Sequence, residues 1–467
     1  MGGILLKQAE LVTAERRFIA NLRIEGEKIV ALGDVEAQPG DEIIDCQGLM
    51  LVPGGIETHT HLQLESMGTV TADDWETGTW AALAGGTTTV LDFATQFHGE
   101  SMREGLAHWH QKADGHSYID YGFHMACTEW NEGLRREMRA VVEEEGISSF
   151  KLYMAYKDNM MVQEDAIYDA LAEARRLGAT IGFHCENGFL IEKLVRRFLA
   201  EGKTGPYYHQ WSRPDYLEAE AIKRLDTVAH SLDAPYYVVH LSSALGYQEI
   251  QAARARGSRV IVETCPQYLV LDNSLYGQEG DKSFEAAKYV MSPPLREKHN
   301  QETLWNALAD GGIQFVGTDH CSFNYVGQKD VGVSDFSKIR NGGTGIESRM
   351  AVLYSYGVLD GRLSPERYVA VTSTNAAKYF GLYPNKGSLL PETDADLVLL
   401  DPNYEGQIRQ VDLHENVDYS CYEGLPIKGR VHSVFLRGRQ LLRDGELLAE
   451  RPEGRYLRRR AVDGSIR

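Results

Sequence analysis

Two histidines, His59 and His61, stand two residues apart in the segment Pro53-Gly-Gly-Ile-Glu-Thr-His59-Thr-His61. In a β-strand, residues i and i+2 point to the same face, so two imidazoles with this spacing can bind one cation. His108 and His110 have the same spacing in a segment that reads as helical, where the two rings cannot converge. The spacing therefore indicates a metal site only where a strand presents it.

Composition and charge set the class of protein. The 467 residues are 43% hydrophobic and 25% charged, which is typical of a globular chain with room for a large domain and a smaller one. A net charge of -19 argues against a general affinity for nucleic acid or for anionic membranes. Arg455 to Arg460 form a basic segment that we expect to be a solvated face.

The sequence also predicts a compartment. It contains neither an apolar stretch of about 20 residues, the length of a membrane span, nor the layout of a signal peptide after Met1. Its six cysteines are dispersed, without a C-x-x-C pair, and are expected to be free thiols. These observations predict a cytoplasmic protein.

The elements that must position the histidines follow from the apolar rhythm. After Pro53, apolar or β-branched runs alternate with amphipathic helical segments until about Gly381, and repeated βα units predict a parallel sheet. The chain has eight such apolar runs, and eight strands are the number that closes a TIM-like (β/α)8 barrel. They are Gly55 to His61, Thr87 to Ala94, Ile119 to Thr128, Ser148 to Ala155, Thr180 to Glu186, Pro235 to Ser242, Arg259 to Leu271 and Ile313 to Asp319.

The two chain ends read differently from the barrel. Short alternating runs between Ile4 and Leu51, and again from Asp394 to Asp401 and after His432, predict strands. We infer that they pair into one smaller β-sandwich domain. The predicted domains are therefore residues 1–52 and 382–467 for the β-sandwich with its tail, and 53–381 for the barrel.

In such a barrel, functional groups lie at the carboxyl ends of the strands. Each group there has an ordinary structural alternative, such as a loop cap or a solvated lysine. Their joint position at one barrel mouth favours metal binding. His124 is interpreted as a core histidine, and His320 as lying outside the ligand set. The six groups at this mouth are His59, His61, Lys151, His184, His240 and Asp319.

The chain resembles the hydantoinase/dihydropyrimidinase family of cyclic amidohydrolases over nearly its whole length. The motifs that carry the resemblance are the His59 segment, Gly85-Gly-Thr-Thr, Ser149-Phe-Lys151-Leu-Tyr-Met-Ala-Tyr156, Glu186-Asn-Gly, Ser292-Pro-Pro-Leu-Arg296, Thr318-Asp319-His-Cys and Arg340-Asn341-Gly342. The resemblance implies hydrolysis of the cyclic amide bond of hydantoins, giving N-carbamoyl amino acids, or of 5,6-dihydropyrimidines, giving N-carbamoyl-β-amino acids.

The resemblance also implies a cofactor and an assembly. Two divalent metal ions, Zn2+ with Mn2+ or Co2+ as alternatives, would be bridged by Lys151 as N6-carboxylysine, a carbamate formed with CO2, and by a hydroxide. His59, His61 and Asp319 would complete one site, and His184 and His240 the other. The partners implied are a small cyclic amide or ureide substrate and copies of the same chain in a homotetramer, with a dimer as the alternative.

Further roles follow from the same resemblance. Asp319 would move the proton of the attacking water to the ring nitrogen, Tyr156 would hydrogen-bond the developing oxyanion, and Tyr156, Ser292 and Asn341 would bind the substrate. Candidate walls of the pocket are Leu64, Met67, Phe97, Tyr153 and Met160.

Two alternatives stay open at this stage. One is an allantoinase-like or dihydroorotase-like ring hydrolase; dihydroorotases commonly place an arginine soon after the His-x-His, whereas this chain continues Leu62-Gln63-Leu64. The other is a non-catalytic binding protein like the collapsin-response-mediator proteins, which lack the full ligand set that is present here. Cys185 and the glycine-rich segment Gly342-Gly343-Thr344-Gly345 depart from the family pattern and leave the substrate preference open.

Overall fold

A computed structural model describes residues 2–281 and 283–461. Eight parallel strands lie side by side in the order of the sequence, so the predicted barrel is confirmed for the described residues. They are the first to eighth barrel strands. Their bounds are Gly55–Thr60, Thr87–Gln96, Asp120–Cys127, Ser149–Tyr153, Thr180–His184, Tyr236–Val238, Val260–Thr264 and Phe315–Val316.

Helices follow the strands and pack against the sheet. The first helix is capped by Asp74, which accepts a hydrogen bond from the Thr77 backbone at 2.8 Å, and it ends before Gly85. His108 and His110 lie on the second helix, as predicted. The longer helices are Trp75–Ala84, Met102–Ala113, Glu132–Glu145, Glu164–Leu177, Gly188–Ala200, Asp215–Ser231, Ala244–Ala255 and His299–Asp310. Shorter ones include Tyr208–Ser212, Pro266–Val270, Arg349–Leu353, Pro365–Val369 and Asn375–Tyr379.

The seventh strand is shorter than the sequence predicts. The apolar run from Arg259 to Leu271 forms a strand only over Val260–Thr264, and Pro266–Val270 is helical. Pro266 occupies the first turn of this helix, where its missing N–H and preset φ are no disadvantage. An apolar run cannot by itself distinguish a buried strand from a buried helix, which explains the error.

A buried ion pair joins the first and eighth strands, where the sheet is nearly closed. Glu57 Oε1 accepts hydrogen bonds from the backbone of His59 and of Thr318, both at 2.9 Å. Arg349 lies 3.2 Å from the other Glu57 oxygen and donates to the Ile56 carbonyl at 2.9 Å. These contacts link the two strands from which three of the predicted ligands follow.

Both chain ends contribute to a separate sheet domain, as predicted. Leu397 pairs antiparallel with Pro53, which joins the C-terminal strands to the N-terminal ones. Within the described residues the strands form one nine-stranded sheet. The bounds are Ile4–Val12, Arg17–Glu25, Lys28–Gly33, Glu42–Asp45, Met50–Pro53, Leu397–Gln407, Pro426–Leu436, Arg439–Arg443 and Glu446–Leu447. The domain boundaries given above stay predictions.

The basic segment near the C-terminus is only in part the solvated face that the sequence suggested, because its other arginines are exposed whereas Arg459 is buried. Arg459 is only 6% exposed, and its guanidinium donates to the Ser149 hydroxyl at 2.8 Å and to the Phe123 carbonyl. Leu457 N donates to the Tyr121 carbonyl at 2.7 Å. The segment thus packs onto the barrel, and burying a guanidinium is tolerated because carbonyl and hydroxyl oxygens accept its hydrogens.

The cysteines and the helices bear on two further expectations from the sequence. All six cysteines are buried and unpaired, which confirms the predicted free thiols. Over the described part of the chain, the helices are too short or too polar to span a bilayer.

Candidate metal centre

The six predicted ligands meet at the carboxyl ends of the barrel strands. His59 is completely buried, and the other five line a cavity of about 390 Å3. The predicted substrate contacts Tyr156, Ser292 and Asn341 line the same cavity. Residues from five different strands and their loops therefore converge on one pocket, as the barrel geometry requires.

The first cluster contains His59, His61 and Asp319, whose potential ligand atoms all lie within 4.8 Å of one another. Asp319 Oδ1 is 3.1 Å from His59 Nε2 and 3.2 Å from His61 Nε2. Burial lowers the pKa of His61 to about 4, so its imidazole is neutral and can donate a lone pair. Burial alone would raise the pKa of Asp319, but the adjacent histidines hold it well below the usual value.

Lys151 lies beside this cluster. Its Nζ is 2.8 Å from His59 Nε2 and 4.3 Å from the centre of the Phe93 ring. Burial lowers the pKa of Lys151 from 10.5 to about 8, because an apolar surrounding penalises the ammonium. More of the neutral, nucleophilic amine is therefore present near neutral pH than for a solvated lysine, although the ammonium stays the larger fraction.

His184 and His240 form the second group. Their ring centres are 4.6 Å apart, and His240 is 5.4 Å from the ring of His59. Burial lowers the pKa of His184 and places that of His240 well below its usual value. Both rings are therefore neutral, the form that binds metal.

Buried carboxylates orient two of these imidazoles. Glu263 Oε1 lies 2.7 Å from His59 Nδ1, which directs His59 Nε2 towards Asp319 and Lys151. Glu186 Oε2 lies 2.7 Å from His184 Nε2 and also accepts a hydrogen bond from Arg213. Carboxylates in this position typically orient metal-binding histidines and select their tautomer.

Unpaired ring nitrogens are a further indication that these residues fit divalent cations. His61 Nδ1 and both ring nitrogens of His240 are buried and lack a hydrogen-bond partner among the described residues. Buried polar atoms rarely remain unpaired unless a ligand or ion satisfies them. Together with neutral imidazoles and an ionised Asp319, these atoms provide the nitrogen and oxygen donors that zinc prefers.

The backbone at this pocket is unusual. Tyr156, His240 and Asp319 have φ angles of 63°, 41° and 54°, in the left-handed region that residues with a side chain seldom adopt. Such conformations cost of order 1–3 kcal/mol and persist where the surroundings enforce them. Three predicted site residues therefore point into the cavity from constrained positions.

Tyr156, Ser292 and Asn341 lie around the ligands. The Tyr156 ring is 5.0 Å from that of His184, and burial raises the pKa of its phenol, which stays a hydrogen-bond donor. Ser292 Oγ donates to Asn341 Oδ1 at 2.8 Å. The five wall residues that the sequence suggested, Leu64, Met67, Phe97, Tyr153 and Met160, also line the cavity.

His124 and His320, which the sequence placed outside the ligand set, have hydrogen-bond partners of their own. His124 is buried and pairs with Ser149 Oγ at 2.5 Å and with the Thr58 carbonyl at 3.1 Å, as expected for a core residue. His320 pairs with Asp73 at 2.9 Å. Cys185 is buried, with its thiol 3.5 Å from the Phe183 carbonyl.

Sequence reasoning missed several residues that shape this site. Glu57 and Glu263 carried a usable signal, because each is a carboxylate inside an otherwise apolar or β-branched strand. Arg213, which lines the cavity, follows a short helix between two barrel strands and gave no such signal. Gly342, in contrast, belongs to the glycine-rich segment that the sequence marked; it lines the cavity, and a Cβ there would lie 2.1 Å from the Cys321 carbonyl oxygen, so a side chain cannot be accommodated without a shift.

The chain is similar to known proteins over nearly its whole length. A sequence model described as the amidohydrolase family matches residues 50–441. The chain is 44% identical to a D-hydantoinase of Geobacillus stearothermophilus over 97% of its own length and 96% of the relative's. It is 40% identical to a dihydropyrimidinase of Arabidopsis thaliana over 97% of its own length and 85% of the relative's. The crystal structure of a dihydropyrimidinase from Brevibacillus agri superposes with a TM-score of 0.96 at 44% identity, covering 99% of both chains.

Proposed function

The chain belongs to the amidohydrolase family and is a cyclic amidohydrolase of the hydantoinase and dihydropyrimidinase group (EC 3.5.2.2), and we propose that it opens its ring substrates at a two-metal centre. The observation that supports this proposal most is the buried amine of Lys151 among converging imidazoles and a carboxylate. The complete set of six ligands also argues against a non-catalytic binding protein.

In this proposal His59, His61 and Asp319 hold one cation, and His184 and His240 hold the other. Zinc is the proposed metal, because the donors are mainly imidazole nitrogens; Mn2+ and Co2+ are the alternatives. Bound cations at these residues would supply Lewis-acid chemistry, by lowering the pKa of a bound water and polarising the ring carbonyl.

As a carbamate, Lys151 would complete the set of residues that hold the cations. Its neutral amine forms an N–C bond with CO2, and one proton leaves to solvent. The product would be an anion whose two oxygens could help to hold cations, in place of an ammonium that would repel them. The pKa of about 8 supports this step, since it leaves amine available near neutral pH.

The remaining groups act on the substrate. Asp319, held ionised by its histidine neighbours, accepts the proton of the attacking water and delivers it to the leaving ring nitrogen. The Tyr156 hydroxyl donates a hydrogen bond to the carbonyl oxygen as negative charge develops there. Ser292 and Asn341 bind the polar edge of the ring.

The pocket favours a neutral ring over an acidic one. Arg213 lines the pocket, although the sequence did not predict a cation there. It is paired with the buried Glu186 and does not offer a free charge to a substrate carboxylate. We therefore propose 5-substituted hydantoins and 5,6-dihydropyrimidines as substrates, ahead of allantoin and dihydroorotate. The name of the Geobacillus relative supports a preference for D-hydantoins.

A parallel assay tests this ranking. Ring opening of 5,6-dihydrouracil, hydantoin, the D and L forms of 5-phenylhydantoin, allantoin and dihydroorotate would be measured with one metal-loaded preparation. We expect turnover of the first two compounds and of the D-phenyl compound. Turnover of allantoin and dihydroorotate alone would contradict the proposed substrate class.

Assembly and location are further proposals. The resemblance to the family supports a homotetramer, with a dimer as the alternative, and a cytoplasmic location. Sedimentation analysis of the metal-loaded protein distinguishes the two assemblies.

A further inference from the structure

Lys329 is a completely buried lysine that the proposed mechanism does not use. It begins a short helical turn, Lys329–Gly332, in the loop region after the eighth strand. Its Nζ donates to the backbone carbonyls of Val290 and Arg340, both at 2.9 Å, and of Gly342 at 2.8 Å. An ammonium has three donors and no acceptor, so three carbonyl oxygens satisfy it fully.

The three carbonyls belong to the segments that carry the proposed substrate contacts. Val290 lies two residues before Ser292, and Arg340 and Gly342 flank Asn341. Gly342 N also donates to the Val290 carbonyl at 3.1 Å. Lys329 therefore joins two segments that are distant in sequence at the point where the Ser292 hydroxyl meets Asn341.

Neither segment is held by regular structure. Residues 290–292 and 340–342 lie outside the helices and strands of the described chain. Their relative position therefore depends on local contacts, of which the three to Lys329 involve a charged donor in a buried surrounding. Hydrogen bonds to charged groups contribute more to stability than those between neutral groups.

We propose that Lys329 is a positioning residue for substrate recognition. Its ammonium holds the 290–292 and 340–342 segments together, so that Ser292 and Asn341 present one preformed polar surface to the ring. This inference rests on the proposed function, because it takes Ser292 and Asn341 as substrate contacts. Lys329 touches none of the six metal ligands in the described contacts, so its role is separate from metal binding.

The test replaces Lys329 with Met, which keeps most of the side-chain volume and removes the ammonium. We expect KM for dihydrouracil or hydantoin to rise about 10-fold or more, the equivalent of losing one charged hydrogen bond, while kcat changes less than about threefold. Lys329→Gln, which keeps an amide donor, is the second variant if Lys329→Met does not fold. The bound metal is expected to stay at the wild-type level.

Lys386→Met is the matched control. Lys386 is also a buried lysine, but its Nζ lies 2.6 Å from Asp120 and 2.6 Å from Asp396, away from the cavity-lining residues. We expect it to reduce thermal stability without changing KM. An equal rise in KM in both lysine variants would show that general destabilisation is the cause and would overturn the proposal.

A double-mutant cycle with Asn341→Ala separates this inference from the proposed function. If Lys329 acts through Asn341, the rise in KM of the double variant is smaller than the product of the two single effects. A rise in KM of the double variant that equals the product of the two single effects overturns the role of Lys329. An unchanged KM in folded, metal-loaded Lys329 variants overturns it as well. Unchanged KM values in both Ser292→Ala and Asn341→Ala would instead overturn the proposed substrate contacts.

Discussion

Replacing Lys151 with alanine is expected to abolish both metal binding and ring hydrolysis. The variant lacks the amine that forms the carbamate, so the anion that both cations share is lost. The six ligands would be reduced to the two separate groups around His59 and around His184. Metal content by mass spectrometry and turnover of dihydrouracil or hydantoin would be measured together.

A short carboxylic acid should restore part of the activity of Lys151→Ala. Acetate or propionate can enter the space left by the side chain and place two oxygens where the carbamate stood. We expect the rate to rise with acid concentration at constant ionic strength, and metal content to rise with it. Full activity of the variant without added acid would refute the bridging role of Lys151.

Lys157→Ala is the matched control for this experiment. Lys157 follows the same strand, but it is partly exposed and forms salt bridges with Asp158 and Glu192, each at 3.1 Å. It is not among the residues that line the cavity. We expect it to keep its metals and its activity, since it removes a lysine from the loop that follows the Lys151 strand without touching the site.

Tyr156→Phe is expected to keep the metals and to lose on the order of 10²-fold in kcat, the usual effect of removing one oxyanion donor. The phenylalanine ring keeps the packing against His184, whereas the hydrogen bond to the developing oxyanion is lost. The measurement combines kcat, KM and metal content in one preparation.

Tyr153→Phe is the control for the Tyr156 variant. Its ring also lines the cavity, with its centre 6.1 Å from that of Tyr156, so both variants remove a phenol oxygen from one pocket. We expect Tyr153→Phe to leave kcat within a few-fold of the wild type. Loss of metal in Tyr156→Phe, or equal loss of rate in both variants, would contradict the assigned role.

The barrel and its ligands could be predicted because they depend on local patterns. Strand and helix periods alternate along the chain, and His59, His61, His184, His240 and Asp319 stand at or just beyond the ends of the apolar runs. Lys151 is different, because nothing in its local pattern marks a ligand. Its inclusion depended on its place in a strand and on the family resemblance.

The features that escaped prediction depend on contacts between distant parts of the chain. Arg459 is buried because the C-terminal segment packs on the barrel, which the run of arginines does not indicate. The Glu57–Arg349 pair and the contacts of Lys329 join residues from separate loops and strands. The prediction for the seventh strand was too long for another reason, because the apolar run does not show where the strand ends and the helix begins.

The metal content of the purified chain tests the central proposal most directly. The protein would be prepared with adequate zinc and bicarbonate, freed of loosely bound ions, and analysed by mass spectrometry for metal per chain and for the mass of the Lys151 carbamate. We expect two metal ions per chain in an active preparation. Protein prepared in this way with no bound metal would contradict the two-metal centre and the hydrolytic mechanism built on it.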